Sequence, residues 1–188
     1  MEPEIIHVKE GESKIVPIVW FGDEDRKLSA RVILDKPNSS VKVLCIFFAR
    51  EHALDVDTEV VHRARDTFSR TFVKGVLDGT ARASYVGRVL IEKGAKGADA
   101  DLNEHAIVLS STARAEAIPQ LEVLENEVKA GHGATVGKIG EEELFYLATR
   151  GLPADEAKRL IVRGFLEAFA EEFPPKEAEE IRAALKNI

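Results

Sequence analysis

The chain has 188 residues, 45% of them hydrophobic and 31% charged, which is enough for one globular domain or for one domain with a small appendage. Its formal net charge of −7 argues against a nucleic-acid partner, because binding to phosphates requires a basic face. The single cysteine, Cys45, excludes an internal disulfide framework and any metal site built from several cysteines of one chain.

The N-terminal stretch MEPEIIHVKEGE lacks the basic segment and the apolar core of a signal peptide. No apolar run in the sequence approaches the roughly 20 residues that are needed to cross a bilayer. We therefore expect a soluble, cytoplasmic protein without a membrane partner.

Short apolar runs follow one another from about Ile15 to Ile139, and hydrophobic residues alternate with polar ones within several of them. An alternation of hydrophobic and polar residues with a period of two predicts half-buried strands. The runs recur at intervals of roughly twenty residues, and Asp78-Gly79 is the only dipeptide typical of tight hairpins, so a solenoid is favoured while a sandwich stays possible. The clearest rows are Leu28, Ala30, Val32, Leu34; Val41, Val43, Cys45, Phe47, Ala49; Leu54, Val56, Thr58, Val60, His62; and Ala83, Tyr85, Gly87, Val89, Ile91.

The pattern changes after Ile139, where three consecutive glutamates suit the first turn of a helix and Arg150-Gly151 suits its end. This change predicts two parts of the chain. Residues 1–139 form a β-rich core domain, and residues 140–188 form a helical segment.

Two further helices are predicted in that segment. One begins at Pro153, and the last runs from Lys176 to about Lys186 with Ile181 and Leu185 facing inward. The helix after Pro153 is expected to carry a single apolar face, formed by Ala157, Leu160, Ile161, Gly164, Phe165, Ala168 and Phe169. Two or three helices offer little volume in which to bury the five aromatic side chains of this segment together, so part of their surface is expected to meet a partner. These side chains are Phe145, Tyr146, Phe165, Phe169 and Phe173.

Two carboxylate pairs at spacing two, Asp55 with Asp57 and Asp99 with Asp101, would each lie on one face of a strand. Such pairs can perform acid and base chemistry in a polysaccharide-active enzyme, although solvated acidic residues are the simpler interpretation. The sequence contains no phosphate-binding loop and no dinucleotide fingerprint. We therefore expect no enzyme activity and no nucleotide bound by this chain.

Three residues remain as candidates for chemistry. His62 and Cys45 fall in phase with apolar neighbours, so each is either a core residue or part of a site. His132 lies between Gly131 and Gly133, which permit a tight turn and also leave the imidazole unshielded. The residues alone do not decide between a turn histidine and a site.

Short motifs follow in a set order over more than half of the chain. They are His62; Thr67-Phe68-Ser69; Lys74-Gly75-Val76-Leu77; Gly87; Gly97-Ala98-Asp99-Ala100; Val108-Leu109-Ser110-Ser111; Ala113; Pro119-Gln120-Leu121-Glu122-Val123; His132-Gly133-Ala134-Thr135-Val136-Gly137; Leu144-Phe145-Tyr146-Leu147; Arg150-Gly151; Glu156-Ala157; and Gly164-Phe165. Their order and spacing resemble the shared core and C-terminus of the SufB/SufD proteins of iron-sulfur cluster assembly.

The resemblance implies a right-handed parallel β-helix followed by C-terminal helices. It implies a scaffold subunit that pairs through the β-helix, with itself or with a SufB/SufD paralogue, and that docks a SufC-like ABC-type ATPase through the helices. A transient iron-sulfur cluster is then built on the paired scaffold. The docking residues implied for this chain are Leu144, Phe145, Tyr146, Arg150, Leu160, Gly164 and Phe165.

The resemblance also implies that His132 lies near the cluster at the interface of the scaffold, as its metal ligand. Cys45 is a second candidate ligand, because SufB-type proteins use a cysteine on an early rung. This chain has Ala113, Ala130 and Gly133 where SufB-type or SufD-type proteins carry cysteine or glutamate, so it resembles the SufD type more closely. A purely architectural SufD-like subunit, with the cluster held by another chain, is therefore the alternative.

Overall fold

The computed structural model describes residues 5–188, which form ten strands followed by three helices. Odd-numbered strands make one five-stranded parallel sheet, and even-numbered strands make a second one. The strands are β1 (Ile5–His7), β2 (Ser13–Trp20), β3 (Arg26–Leu34), β4 (Ser40–Ala49), β5 (Ala53–His62), β6 (Phe68–Leu77), β7 (Arg82–Ile91), β8 (Asp99–Val108), β9 (Arg114–Val123) and β10 (Lys129–Gly137). Each turn of the chain adds one strand to each sheet, so the predicted parallel solenoid is confirmed.

One full turn of the solenoid takes 26 to 32 residues, since Ile5 pairs with Arg31 at one end and Arg82 pairs with Arg114 at the other. The interval of roughly twenty residues predicted from the sequence is wrong. Every turn of the solenoid contains two strands and two corners. The predicted interval is therefore longer than the distance from one strand to the next in sequence and shorter than a full turn.

Side chains in equivalent positions stack along the inside of the solenoid because the register is maintained from turn to turn. Val32 pairs with Val60 and Val60 pairs with Val89, and all three are buried in one core. The four alternating rows predicted from the sequence all face this interior, which confirms the buried face predicted for each of these strands. At Gly75 the space that a Cβ would occupy is filled by the Phe47 ring from the neighbouring strand.

The helices are α1 (Glu141–Thr149), α2 (Ala154–Ala170) and α3 (Pro175–Leu185). They cover part of the outside of the even-strand sheet, where Leu44 and Ile46 of β4 are fully buried. Ile181 and Leu185 of α3 belong to the same cluster, which confirms their predicted inward orientation. The nearly continuous apolar sequence of β4 therefore reflects burial on both faces.

The apolar face predicted for α2 is partly wrong. Ala157 and Phe169 are buried as expected, whereas Gly164 and Ala168 are exposed and Leu160 is 52% exposed. The stripe that packs on the sheet consists of Ala157, Val162, Leu166, Phe169 and Ala170. Phe165 lies at its border, with the Lys74 ammonium 4.7 Å from the ring centroid. The helix has apolar residues on two sides, and the larger buried surface against the sheet decides its orientation.

Among the helices within residues 5–188, none combines the length and the apolarity that a membrane crossing requires.

Candidate functional site

The solenoid ends in two strands that each pair on one side only within the described chain, β9 with β7 and β10 with β8. We call these two strands the lip. Most inward-facing residues are buried in the preceding turns, but at the lip all of them are half-buried or exposed. They are Ala115, Ala117, Pro119 and Leu121 in β9, and Ala130, His132, Ala134 and Val136 in β10. The lip therefore opens the interior of the solenoid to solvent.

The two free edges differ in their protection against further strand pairing. β9 carries Pro119 at its centre and the charged residues Glu116 and Glu122. β10 has no proline and no charge between Lys129 and Lys138. Proline and charge are the usual devices that keep an edge strand from pairing, so the β10 edge is the one left open to another strand.

His132 occupies the last position of an interior row. It pairs with Leu102, which pairs with Thr71, and both of these residues are buried. Gly131 and Gly133 belong to the opposite, outward phase of β10, where a Cβ on either glycine would lie 3.2 Å from a side-chain oxygen of the neighbouring strand. The imidazole is exposed because no further turn covers it in the described chain, so His132 is a lip residue and not a turn histidine.

Cys45 lies deep inside the solenoid and is fully buried. Burial, together with the smaller effect of the nearby Glu104, raises the pKa of its thiol to about 12. Cys45 is in β4 and His132 is in β10, three strand spacings apart, which corresponds to about 14 Å. The structure therefore does not bring these two candidate ligands together, and the thiol remains protonated at neutral pH.

Glu104 is an interior carboxyl group that is not among the candidate residues predicted from the sequence. It is 2% exposed, and its Oε2 atom has no hydrogen-bond partner. Burial raises the pKa of this carboxyl to about 7, while a hydrogen bond from the backbone N–H of Thr135 lowers it. The sequence does carry a signal for its inward position, because Glu104 alternates in β8 together with the inward residues Ala100, Leu102 and Ala106.

His62 is a core residue. It is buried, and its two ring nitrogens lie 2.8 Å from the hydroxyl oxygens of Thr67 and Ser69. Burial lowers the pKa of His62 to about 4, with Asp99 opposing the shift. Because His62 is neutral and both of its ring nitrogens are hydrogen-bonded, core packing alone accounts for its position in the strand row.

Three of the four paired carboxylates are held by neighbouring side chains. Asp57 accepts two hydrogen bonds from Arg88, at 2.8 and 3.0 Å, and Asp99 forms an ion pair with Arg70 at 2.8 Å. Asp101 accepts a hydrogen bond from Asn103 at 2.7 Å. Across residues 5–188, no three or more His, Cys, Asp or Glu side chains converge as a metal site.

Six of the seven residues expected to dock an ATPase lie on α1 and α2, and the seventh, Arg150, directly follows α1. Phe145 and Tyr146 of α1 are 72% and 56% exposed, and α1 buries none of its residues. Arg150 lies over the Tyr146 ring, 5.2 Å from the centroid, and donates a hydrogen bond to its hydroxyl at 3.2 Å. Gly164 is exposed together with Leu160, while Leu144 and Phe165 are half-buried. We call Phe145, Tyr146 and Leu160 the helical patch.

Comparisons with known proteins identify related chains. A family model described as "SUF system FeS cluster assembly, SufBD core domain" matches residues 9–165. An iron-sulfur cluster assembly SufBD family protein of Mycobacterium tuberculosis (strain CDC 1551 / Oshkosh) is 37% identical over 171 residues, which cover 90% of this chain and 19% of the relative. A protein of the same family from Staphylococcus aureus (strain USA300) is 30% identical over 170 residues, which cover 86% of this chain and 37% of the relative. The chain thus spans less than half the length of these relatives.

Proposed function

Since the chain belongs to the SufBD family of iron-sulfur cluster assembly proteins, as the match over residues 9–165 shows, we propose that it is a non-enzymatic scaffold subunit of a cytoplasmic assembly complex. It pairs through its solenoid, and it docks a SufC-like ABC-type ATPase through its helices. Residues 1–139 form the pairing part and residues 140–188 form the docking part. The observation that carries this proposal is the open lip, where a bare edge strand and an exposed histidine occur together.

The β10 edge supports the pairing step. Its outer N–H and C=O groups have no partner strand within the described chain, and a second copy or a paralogue can satisfy them by adding its own strand. Gly131, Gly133 and Gly137 leave little side-chain bulk on the outer face of β10. Two chains that join along this edge bring their His132 side chains toward each other at the interface.

The helical patch supports the docking step. Large exposed aromatic side chains are unusual on a free surface, and aromatic residues and arginine are enriched in protein interfaces. Phe145 and Tyr146 are exposed on α1, which packs on α2 without any fully buried residue, and Arg150 follows directly after this helix. ATP hydrolysis is assigned to the partner, because this sequence lacks a phosphate-binding loop.

The nascent cluster is the cargo of this scaffold, bound transiently between the paired chains with His132 as a ligand. Imidazole is a suitable iron ligand, and His132 is the exposed member of its interior row. Cys45 is the weaker candidate because its thiol is buried and protonated. This same observation favours the alternative function, an architectural subunit whose cysteine-bearing paralogue holds the cluster.

The test is binding of the purified chain to the purified SufC-like ATPase of the same organism, measured by calorimetry. The wild type is expected to bind, and the double variant Phe145→Ala/Tyr146→Ala is expected to lose at least tenfold in affinity while its unfolding temperature stays unchanged. Glu141→Gln, on the same helix, is the matched control and should bind as the wild type does. Absence of binding by the wild type, or equal binding by the double variant, contradicts the docking proposal.

A further inference from the structure

The Lys74 ammonium is a half-buried cation on the outer face of β6 that lacks a carboxylate partner in residues 5–188. Its Nζ atom lies 4.7 Å from the centroid of the Phe165 ring and 5.3 Å from that of the Phe169 ring. None of the ion pairs within these residues includes Lys74. Burial lowers the pKa of Lys74, as expected for an ammonium that has lost part of its hydration. The two rings offset only part of this cost, because a cation and an aromatic face attract each other less strongly than two opposite charges do.

Lys42 shows that the same sheet and the same helix can supply a carboxylate to a lysine. Lys42 lies on the outer face of β4, and its ammonium is 3.1 Å from a carboxylate oxygen of Glu172, just after the end of α2. The chain carries 33 acidic and 26 basic residues, so carboxylates are not scarce. The absence of one beside Lys74 is therefore a property of this position.

The row of outward residues that contains Lys74 is open on one side. On β4 its register partner is Ile46, which is fully buried in the cluster beneath the helices. On β8 and β10 the same row continues with His105 and Thr135, and both of these residues are exposed. Neither Ile46 nor His105 carries a negative charge. A group from another molecule can therefore approach the ammonium from the β8 side, along the border of α2 where Phe165 is half-buried.

We propose that the partner that docks on α1 and α2 places an acidic side chain beside Lys74, so that an aspartate or glutamate of the partner pairs with this ammonium. Charge complementarity identifies the occupant, because a half-buried cation between aromatic rings favours a carboxylate over a neutral or basic group. A partner without an acidic residue at this point would bury the ammonium further and leave it unpaired, so the pair also contributes to specificity. The inference rests on the docking proposed above, and it adds a residue that is not among the seven expected docking residues.

The experiment measures binding of the full chain to the purified SufC-like ATPase by calorimetry, at about 0.05 M and about 0.5 M NaCl. Lys74→Gln is expected to weaken binding about tenfold at the lower salt concentration and much less at the higher one, because salt screens an ion pair. Lys74→Arg keeps the charge and is expected to lose less affinity than Lys74→Gln. Lys42→Gln removes a cation that is already paired within the chain, so this matched control should bind as the wild type does at both salt concentrations. Thermal unfolding should show every variant folded.

A loss of affinity for Lys74→Gln that is equal at both salt concentrations indicates that Lys74 only anchors α2, and it overturns the inference. An equal loss for Lys42→Gln overturns it for the same reason. A wild type that does not bind the ATPase contradicts the docking proposal and the inference with it. Binding that depends on Phe145 and Tyr146 but is unchanged in Lys74→Gln supports the docking and contradicts the ion pair alone.

Discussion

Replacing Glu104 by glutamine is expected to make the protein more stable at alkaline pH and to leave it almost unchanged near pH 4.5. The folded carboxyl has its pKa raised from 4.5 to about 7 by burial, so between these values the folded state keeps a proton that the unfolded chain releases. Where the folded state binds more protons, stability falls as the pH rises. The raised pKa costs about 3 kcal/mol of unfolding free energy once the pH is above 7. Glutamine has a similar shape and no ionisation, so it avoids this loss.

The assay is urea unfolding followed by circular dichroism, at pH 4.5 and at pH 8, on the wild type and on Glu104→Gln. The difference between the two proteins should grow by about 3 kcal/mol from the lower to the higher pH. Other titrating groups, His62 among them, are common to both proteins and cancel in that difference. Glu122→Gln, which removes an exposed carboxylate, should show no such growth. A difference for Glu104→Gln that is equal at both pH values refutes the reasoning from burial.

Three further outcomes are expected. Burial lowers the pKa of His62 from 6.5 to about 4 on folding, so the contribution of neutral His62 to stability is complete above pH 6.5. About 3 kcal/mol of unfolding free energy is lost as the pH falls toward 4. Urea unfolding at pH 7 and pH 4 should show this loss in the wild type and a smaller loss in His62→Gln. Gly75→Ala places a methyl group in the space of the Phe47 ring and should lower the unfolding temperature by several degrees, whereas Gly164→Ala, an open helical site, should raise it slightly, and equal shifts would contradict the packing described. The Cys45 thiol should react with a thiol reagent at pH 8 only after unfolding, and rapid labelling of the native protein would contradict its burial.

The solenoid was predictable from sequence because a strand with one buried face leaves a local, period-two pattern. The row from Leu54 to His62 shows this, and each of its inward residues is buried in the structure. The length of the turn was not predictable in the same way. It depends on which strands pair, and the pairing of Ile5 with Arg31 is a contact between distant residues that no local pattern encodes.

The orientation of α2 shows a second limit. Apolar residues occur on two sides of this helix, and periodicity alone does not rank them. The apolar outer face of β4, with Leu44 and Ile46, decides which side is buried. Leu160 consequently remains on the surface and belongs to the helical patch.

The candidate site likewise contains one residue that the sequence indicated and one that it did not. His132 was visible in the sequence, because glycines flank it and the family motif contains it. Its place at the end of an interior row required the register of β10 on β8. Glu104 was missed for a different reason. A charged residue is ordinarily assigned to the solvent face, although the alternation of β8 places Glu104 in phase with the inward residues Leu102 and Ala106.

The central claim, a scaffold that holds a cluster between two paired chains, is tested most directly by native mass spectrometry after anaerobic reconstitution with iron and sulfide. The account predicts that iron and sulfide masses appear on a two-chain species and that His132→Ala removes them while the two-chain species persists. Iron and sulfide bound to single chains, or found only after a cysteine-bearing paralogue is added, would contradict it.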